Sequence, residues 1–262
     1  MEGNLFIDNP NISSVVFYPR KIPIPSNLPA NINVLKFKIN EGITIGGYFF
    51  LQERSLPTIL LFHGNGEVAL EYRYFNHLFF KCGVNLAVMD FRGYGHSSGK
   101  PTYSSLISDA LPIYKAFREW MDNNEVKNSL FIQGRSLGSI CASEIGSHDP
   151  KDLKGVIFES GFASAYNMMV RLFGVRGPDI TPETLKPYSN DTRMEKFKKP
   201  VLILHGTMDW IIPKDEAKLI FEVLPDDIDK KLIMIDGAGH NNIFSFEKEY
   251  FEPLKAFIQK YQ

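Results

Sequence analysis

The sequence predicts an α/β fold: a mostly parallel, doubly wound sheet with an antiparallel N-terminal edge. Three observations predict it. Six compact apolar runs alternate with segments of helical length, and two alternating segments ahead of them read as a hairpin. A serine also stands between two glycines where strand-like sequence gives way to helix-like sequence, in Gly134-Arg135-Ser136-Leu137-Gly138. Alternation of this kind is how a parallel sheet covered on both faces is written in a chain.

Taken in order, residues 1–33 are rich in Pro and Asn and read as an extended lead-in laid over the domain. "VLKFKI" (34–39) and "ITIGGYFF" (43–50), joined by Asn40-Glu41-Gly42, carry the hairpin signal and supply the antiparallel edge. "TILLFH" (58–63), "VNLAVMD" (84–90), "SLFIQ" (129–133), "GVIFE" (155–159), "VLILH" (201–205) and "LIMID" (232–236) follow. Such unbroken apolar runs suit parallel strands buried on both faces. Helices are predicted over 67–82, 104–122, 137–148, 214–224 and 243–260; in the second, Leu106, Ala110, Ile113, Phe117 and Trp120 recur at helical spacing. Residues 161–199 contain no strand pattern and are too long for an ordinary connection, so they are expected to form a small cap insertion with its own short helices. No repeat or low-complexity linker divides the chain, and a single domain over 1–262 is expected.

Bulk properties exclude several functions. With 29 basic and 30 acidic residues the formal charge is −1, which makes no electrostatic case for nucleic acid or an anionic membrane. The basic stretch "RMEKFKKP" (193–200) is interrupted by Glu195 and reads as a solvated face. No run approaches the ~18 apolar residues of a membrane span. The opening residues lack the pattern of a secretory signal, and Glu2 excludes N-myristoylation, so a cytoplasmic location is expected. Cys82 and Cys141 have no metal-ligand spacing and are expected to be buried free thiols. There is no H-E-x-x-H and no Cys/His cluster, so neither metal nor cofactor is implied. "GYGHSSGK" (93–100) imitates a phosphate loop but fails on counting: Gly95 leaves three residues before Gly99-Lys100, and Pro101 replaces the Mg²⁺-binding Ser or Thr.

In open α/β sheets ligands sit beyond the carboxyl ends of the strands. At those ends stand Ser136, then Asp209, then His240. A serine hydroxyl is a weak nucleophile and needs a base within hydrogen-bond reach. His240 suits that role, and Asp209 would hold its other ring nitrogen in the right tautomer. Glu159 and Asp236 are alternative acids. A side chain at either glycine around Ser136 would collide with the adjoining strand or helix. The Leu137 N–H, at the start of the helix, and the Asn65 N–H, in the loop after His63-Gly64, are the expected oxyanion donors. Of the other histidines, His63 and His205 read as structural, His77 and His148 as helix-surface residues, and His96 as a loop residue bordering the site. Met168, Met169, Leu172 and Phe173 recur at helical spacing in "AYNMMVRLFGV" (165–175), and are expected both to pack on the domain and to line an acyl pocket.

Together with that five-residue motif, "LFHGNGE", "MDFRGYGHSSGKP", "ILHGTMDWIIP" and "GAGHNNI" resemble the motif set of the α/β-hydrolase superfamily. Within it the chain is similar to small-cap serine hydrolases, the group holding abhydrolase-domain depalmitoylases and relatives of prolyl-oligopeptidase catalytic domains. The resemblance covers roughly residues 34–260. It implies an α/β-hydrolase fold and a Ser–His–Asp hydrolase working through an acyl-enzyme, with those roles on Ser136, His240 and Asp209 and the oxyanion donors on Leu137 and Asn65. The expected reaction is cleavage of a carboxylic ester or thioester, on a small-molecule or acyl substrate. Two other readings stand beside it: a peptidase or amidase of prolyl-oligopeptidase type, and a non-catalytic member that binds a ligand or partner.

Overall fold

Eight strands form one sheet in the order β1-β2-β4-β3-β5-β6-β7-β8. They are β1 (Ile32–Asn40), β2 (Ile43–Phe50), β3 (Thr58–Phe62), β4 (Asn85–Met89), β5 (Leu130–Arg135), β6 (Leu153–Glu159), β7 (Val201–Gly206) and β8 (Lys230–Ile235). The computed structural model describes residues 6–126 and 129–262. The pair β1/β2 is antiparallel, β2 joins β4 antiparallel, and every pairing from β4 to β8 is parallel. The predicted α/β fold with an antiparallel N-terminal edge is therefore the observed one.

The apolar runs are explained by burial on two sides. On β3, Leu60 and Phe62 enter one core while Ile59 and Leu61 enter the other. The first core lies under α1 (Pro10–Val16), then α3 (Tyr103–Asn123) and α4 (Ser139–Ser147) once α2 (Asn76–Lys81) has crossed to the opposite face. Three short helices, α5 (Ala165–Asn167), α6 (Pro182–Leu185) and α7 (Asn190–Met194), occupy the stretch between β6 and β7. The helix α8 (Lys214–Val223) joins the first core, and α9 (Glu247–Tyr261) packs with α2 in the second. Local chemistry sets several starts. Thr102 and Ser105 exchange side chain-to-backbone bonds as a capping box for α3.

Three expectations change. The lead-in is not wholly extended: the Asn9 side chain accepts the Asn11 N–H (2.9 Å), Pro10 takes the first position, and α1 follows. Residues 1–5 of that lead-in lie outside the described residues. Over 67–82, the first part is a 3₁₀ turn, Ala69–Tyr74, because the Asp90 carboxylate accepts the Ala69 N–H (2.8 Å) and Glu67 accepts the Tyr72 hydroxyl (2.9 Å). Met168–Leu172 forms a π-turn, closed by Phe173 N–H to the Met168 carbonyl at 3.2 Å. Glu216 on α8 anchors the start of this strand-free stretch by accepting the Ala163 and Ser164 N–H groups and the Asn167 amide. Among the described residues no helix is long and apolar enough to cross a membrane.

Candidate active site

The end of β5 carries the site. A Cβ at Gly134 would lie 2.7 Å from the Ala142 Cβ on α4, and one at Gly138 would overlap the Phe62 carbonyl on β3. The two bare positions let strand, turn and helix close up, and they leave Ser136 at φ +50°. A non-glycine residue persists there only because its surroundings over-determine it. The loop after β7 delivers Asp209, whose Oδ1 accepts the Ile211 and Ile212 N–H groups at 3.0 and 2.8 Å. The loop after β8 delivers His240, and that loop rests on β7 because Gly206 has no side chain to meet Ala238.

These loops bring three predicted residues into one chain of hydrogen bonds. His240 Nδ1 stands 2.7 Å from Asp209 Oδ2, and His240 Nε2 stands 3.0 Å from Ser136 Oγ. A carboxylate only accepts, so Nδ1 carries the proton and Nε2 is left to accept from the serine hydroxyl. Burial pushes the Asp209 carboxyl up, but the bond from His240 and the Ile212 N–H outweigh it and hold the group below its ordinary range. Asp209 therefore stays ionised against the imidazole. The other two carboxylates lie elsewhere: Glu159 faces Arg135, Gln133 and Tyr250, and Asp236 accepts from Thr207 on the surface.

A cavity of about 270 Å³ opens beside Ser136. Leu137, Asn65, Met168, Leu172 and Phe173 line it. Met169 does not; it is fully buried in the first core, since i→i+5 bonding turns residues 168, 172 and 173 toward the cavity and 169 away. The Asn65 side chain is spent on anchoring its loop. Its Oδ1 accepts the Tyr94 hydroxyl at 2.7 Å and the Tyr18 N–H at 3.1 Å, and its Nδ2 donates to the Val16 carbonyl at 2.6 Å. His96 is corrected as well: it lies against the hairpin, bonded to the Leu35 carbonyl (3.0 Å) with its ring in the space left by Gly46. His63 and His205 are buried; burial lowers the His205 imidazole and keeps it neutral, with its Nε2–H donating to the Ile212 carbonyl. The thiols of Cys82 and Cys141 are free and buried.

Four lining residues carried no signal strong enough to be singled out. Tyr18 comes from the segment read as a lead-in, Ile211 lies two residues after Asp209, and Asn241 follows His240. Glu67 lies inside the quoted motif "LFHGNGE". Its Oε2 accepts the Gly64 N–H at 3.1 Å and its Oε1 the Arg135 Nε–H at 2.6 Å. Burial raises the Glu67 carboxyl, but Arg135, His63 and the Gly64 N–H outweigh it and hold it down at about 2.

Comparison with known proteins agrees with this architecture. The family described as Serine aminopeptidase, S33, matches residues 54–184. Protein bem46 of Schizosaccharomyces pombe is 25% identical over 242 residues, covering 90% of this chain and 80% of its own. The alpha/beta hydrolase domain-containing protein 17C of Xenopus tropicalis is 26% identical over 234 residues, covering 87% and 70%. Among solved structures, the Pyrococcus furiosus esterase Pf2001 superposes with a TM-score of 0.72 at 19% identity, covering 92% of this chain and 99% of its own. Est1E from Butyrivibrio proteoclasticus gives 0.69 at 15% identity, covering 86% and 99%. With half its length in the family match and that match spanning β3 to α6, the chain belongs to the serine aminopeptidase S33 family of the α/β-hydrolase superfamily and is a hydrolase.

Proposed function

We propose that the protein is a serine hydrolase that cleaves carboxylic esters or thioesters through an acyl-enzyme on Ser136. The observation that carries this reading is the unbroken run from Asp209 through His240 to the Ser136 hydroxyl, at 2.7 and 3.0 Å. In the first half-reaction Ser136 Oγ attacks the substrate carbonyl carbon as its proton passes to His240 Nε2. The oxyanion that forms meets the Leu137 and Asn65 N–H groups, which border the same cavity. The imidazolium, steadied by Asp209, then gives its proton to the departing alcohol or thiol. Water repeats the sequence on the acyl-enzyme, with His240 taking its proton and returning it to Ser136 as the acid leaves.

The family description favours a second reading, an aminopeptidase. Such an enzyme must receive a substrate ammonium group, and among the described residues Glu67 is the single carboxylate lining the cavity. Glu67 is already held by Arg135, Gly64 and Tyr72. The remaining wall, with Met168, Leu172, Phe173 and Ile211, suits an acyl chain, and the Pyrococcus furiosus protein that shares this fold is an esterase. Hydrolysis rates on ester, thioester and amide substrates of matched acyl group separate the readings.

The primary test is a fluorophosphonate probe on the wild type and on Ser136→Ala, with the adduct located by mass spectrometry. We expect one adduct on Ser136, none on the variant, and a kcat lowered by roughly 10⁴-fold or more. A variant within tenfold of the wild type, or no adduct on the folded wild type, would return the non-catalytic binding reading.

A further inference from the structure

Large apolar side chains exposed among the described residues are not scattered; they gather around the Ser136 cavity and the hollow that adjoins it. Tyr18, Leu172 and Ile211 line the Ser136 cavity and are also open to solvent. Tyr74 and Phe75 line a second hollow, of about 420 Å³, that shares Glu67 and Asn241 with the first. Met208 and Trp210 flank Asp209 in the loop that leads into Ile211, and Trp210 is 83% exposed. Val15 stands beside Val16, whose carbonyl holds Asn65. That completes the set. Single exposed apolar residues are ordinary, but a collection around adjoining hollows marks an interaction face.

The charges on the same stretches share one sign. "VVFYPRK" (15–21) brings Arg20 and Lys21, "YRYFNH" (72–77) brings Arg73, "MVRLFGVRG" (169–177) brings Arg171 and Arg176, and "MDWIIPK" (208–214) brings Lys214, all exposed. The single carboxylate within these four stretches is Asp209, which is buried on His240. Of the acidic residues just outside them, Glu71 pairs with Arg20 at 2.8 Å and Asp215 with Lys218 at 3.0 Å, and exposed Asp179 leaves the cations of the face in excess. A balanced total charge of −1 conceals this local asymmetry. An apolar rim that includes Trp and Tyr, interleaved with cations, is the complement of an anionic lipid surface: aromatic rings settle at headgroup level and basic groups meet the headgroup charge.

We propose that this face docks peripherally on an anionic lipid surface, with Trp210 at the headgroup level and the Ser136 cavity opening onto the lipid. The consequence, that acyl substrate is taken directly from the lipid phase, rests on the reading of Ser136 given above; the docking itself does not.

The test uses the full chain with unilamellar vesicles of phosphatidylcholine, with and without phosphatidylserine, read by co-sedimentation and tryptophan emission. We expect sedimentation with the phosphatidylserine vesicles that weakens as salt is added. We also expect a blue shift of emission that Trp210→Phe removes. Arg171→Gln, Arg176→Gln and Lys214→Gln should each lower the partition coefficient by about fivefold. Absent sedimentation, equal sedimentation with both vesicles, or a lipid-free dimer that shields Trp210 from iodide overturns the proposal. Hydrolysis of a water-soluble ester by the same wild-type sample reports on Ser136 separately. Sedimentation without hydrolysis leaves the docking face standing and removes the catalytic reading; hydrolysis without sedimentation does the reverse.

Discussion

A Cβ placed at Gly138 would strike the Phe62 carbonyl, and backbone does not move aside as the end of a flexible side chain does. The glycine is therefore part of the geometry that lifts Ser136 out of the sheet at φ +50°. The acid is specified just as locally. Asp209 gives one oxygen to two successive N–H groups and the other to His240, so its orientation is fixed before any substrate arrives. Asn in its place keeps the shape, but its amide can donate to His240 Nδ1 and so favours the wrong tautomer. On the proposed mechanism Asp209→Asn should lower kcat on the order of 10⁴-fold with little change in KM, measured on a soluble ester. Glu159→Gln should cost less, because Glu159 touches Arg135, Gln133 and Tyr250 rather than His240. The opposite ranking would move the acid to Glu159.

Strand ends become one site through Arg135, the residue between Gly134 and Ser136. Its Nε donates to Glu67 on the loop after β3, one terminal nitrogen to Glu159 at the end of β6, and the other to the His240 carbonyl after β8, at 3.1 Å. Burial pushes the Glu159 carboxyl up, and the Arg135 charge works against that. Arg135→Met leaves Glu159 buried without its cation, and we expect a cost of about 3–5 kcal/mol in denaturant unfolding at neutral pH. The Arg135→Met, Glu159→Gln pair should recover part of it. A cost below about 1 kcal/mol, the level of an exposed pair, would show that the guanidinium is not what joins these loops. Ser136, Asp209 and His240 were legible in sequence because each lies within a few residues of the end of an apolar run, in a fixed order. The part played by Arg135 was not, since a motif leaves that position open and its partners lie 68, 24 and 105 residues away. Met169 and His96 misled for a related reason. Helical spacing assumes 3.6 residues per turn, which the π-turn at Met168–Leu172 breaks, and loop position alone does not say that His96 fills the gap over Gly46.

Across the whole molecule the sheet was legible because apolar residues bury on both of its faces, so strand runs stand out against amphipathic helices. Helix α1 was obscured by the surrounding Pro and Asn, although Asn9-Pro10 is itself a cap signal. The two cores meet the buried charges at the carboxyl edge, and the shifted carboxyls there contribute to the pH dependence of the fold. Glu67 titrates at about 2 in the native state against an ordinary value of 4.5. As pH falls below about 4.5 the unfolded chain takes up a proton that the native protein refuses, so stability declines until the native carboxyl also protonates near 2. Asp209, likewise depressed, adds to this decline. Glu159 opposes it: its raised carboxyl binds a proton more readily in the native state, and that contribution is lost as pH rises, not as it falls. Unfolding free energies measured between about pH 5 and pH 2 should therefore fall less steeply for Glu67→Gln than for the wild type, and more steeply for Glu159→Gln. Parallel curves for all three proteins would place the acid sensitivity outside the Arg135 cluster. Divergence in the stated directions would tie the stability of the fold to the same ion pairs that align its strand ends.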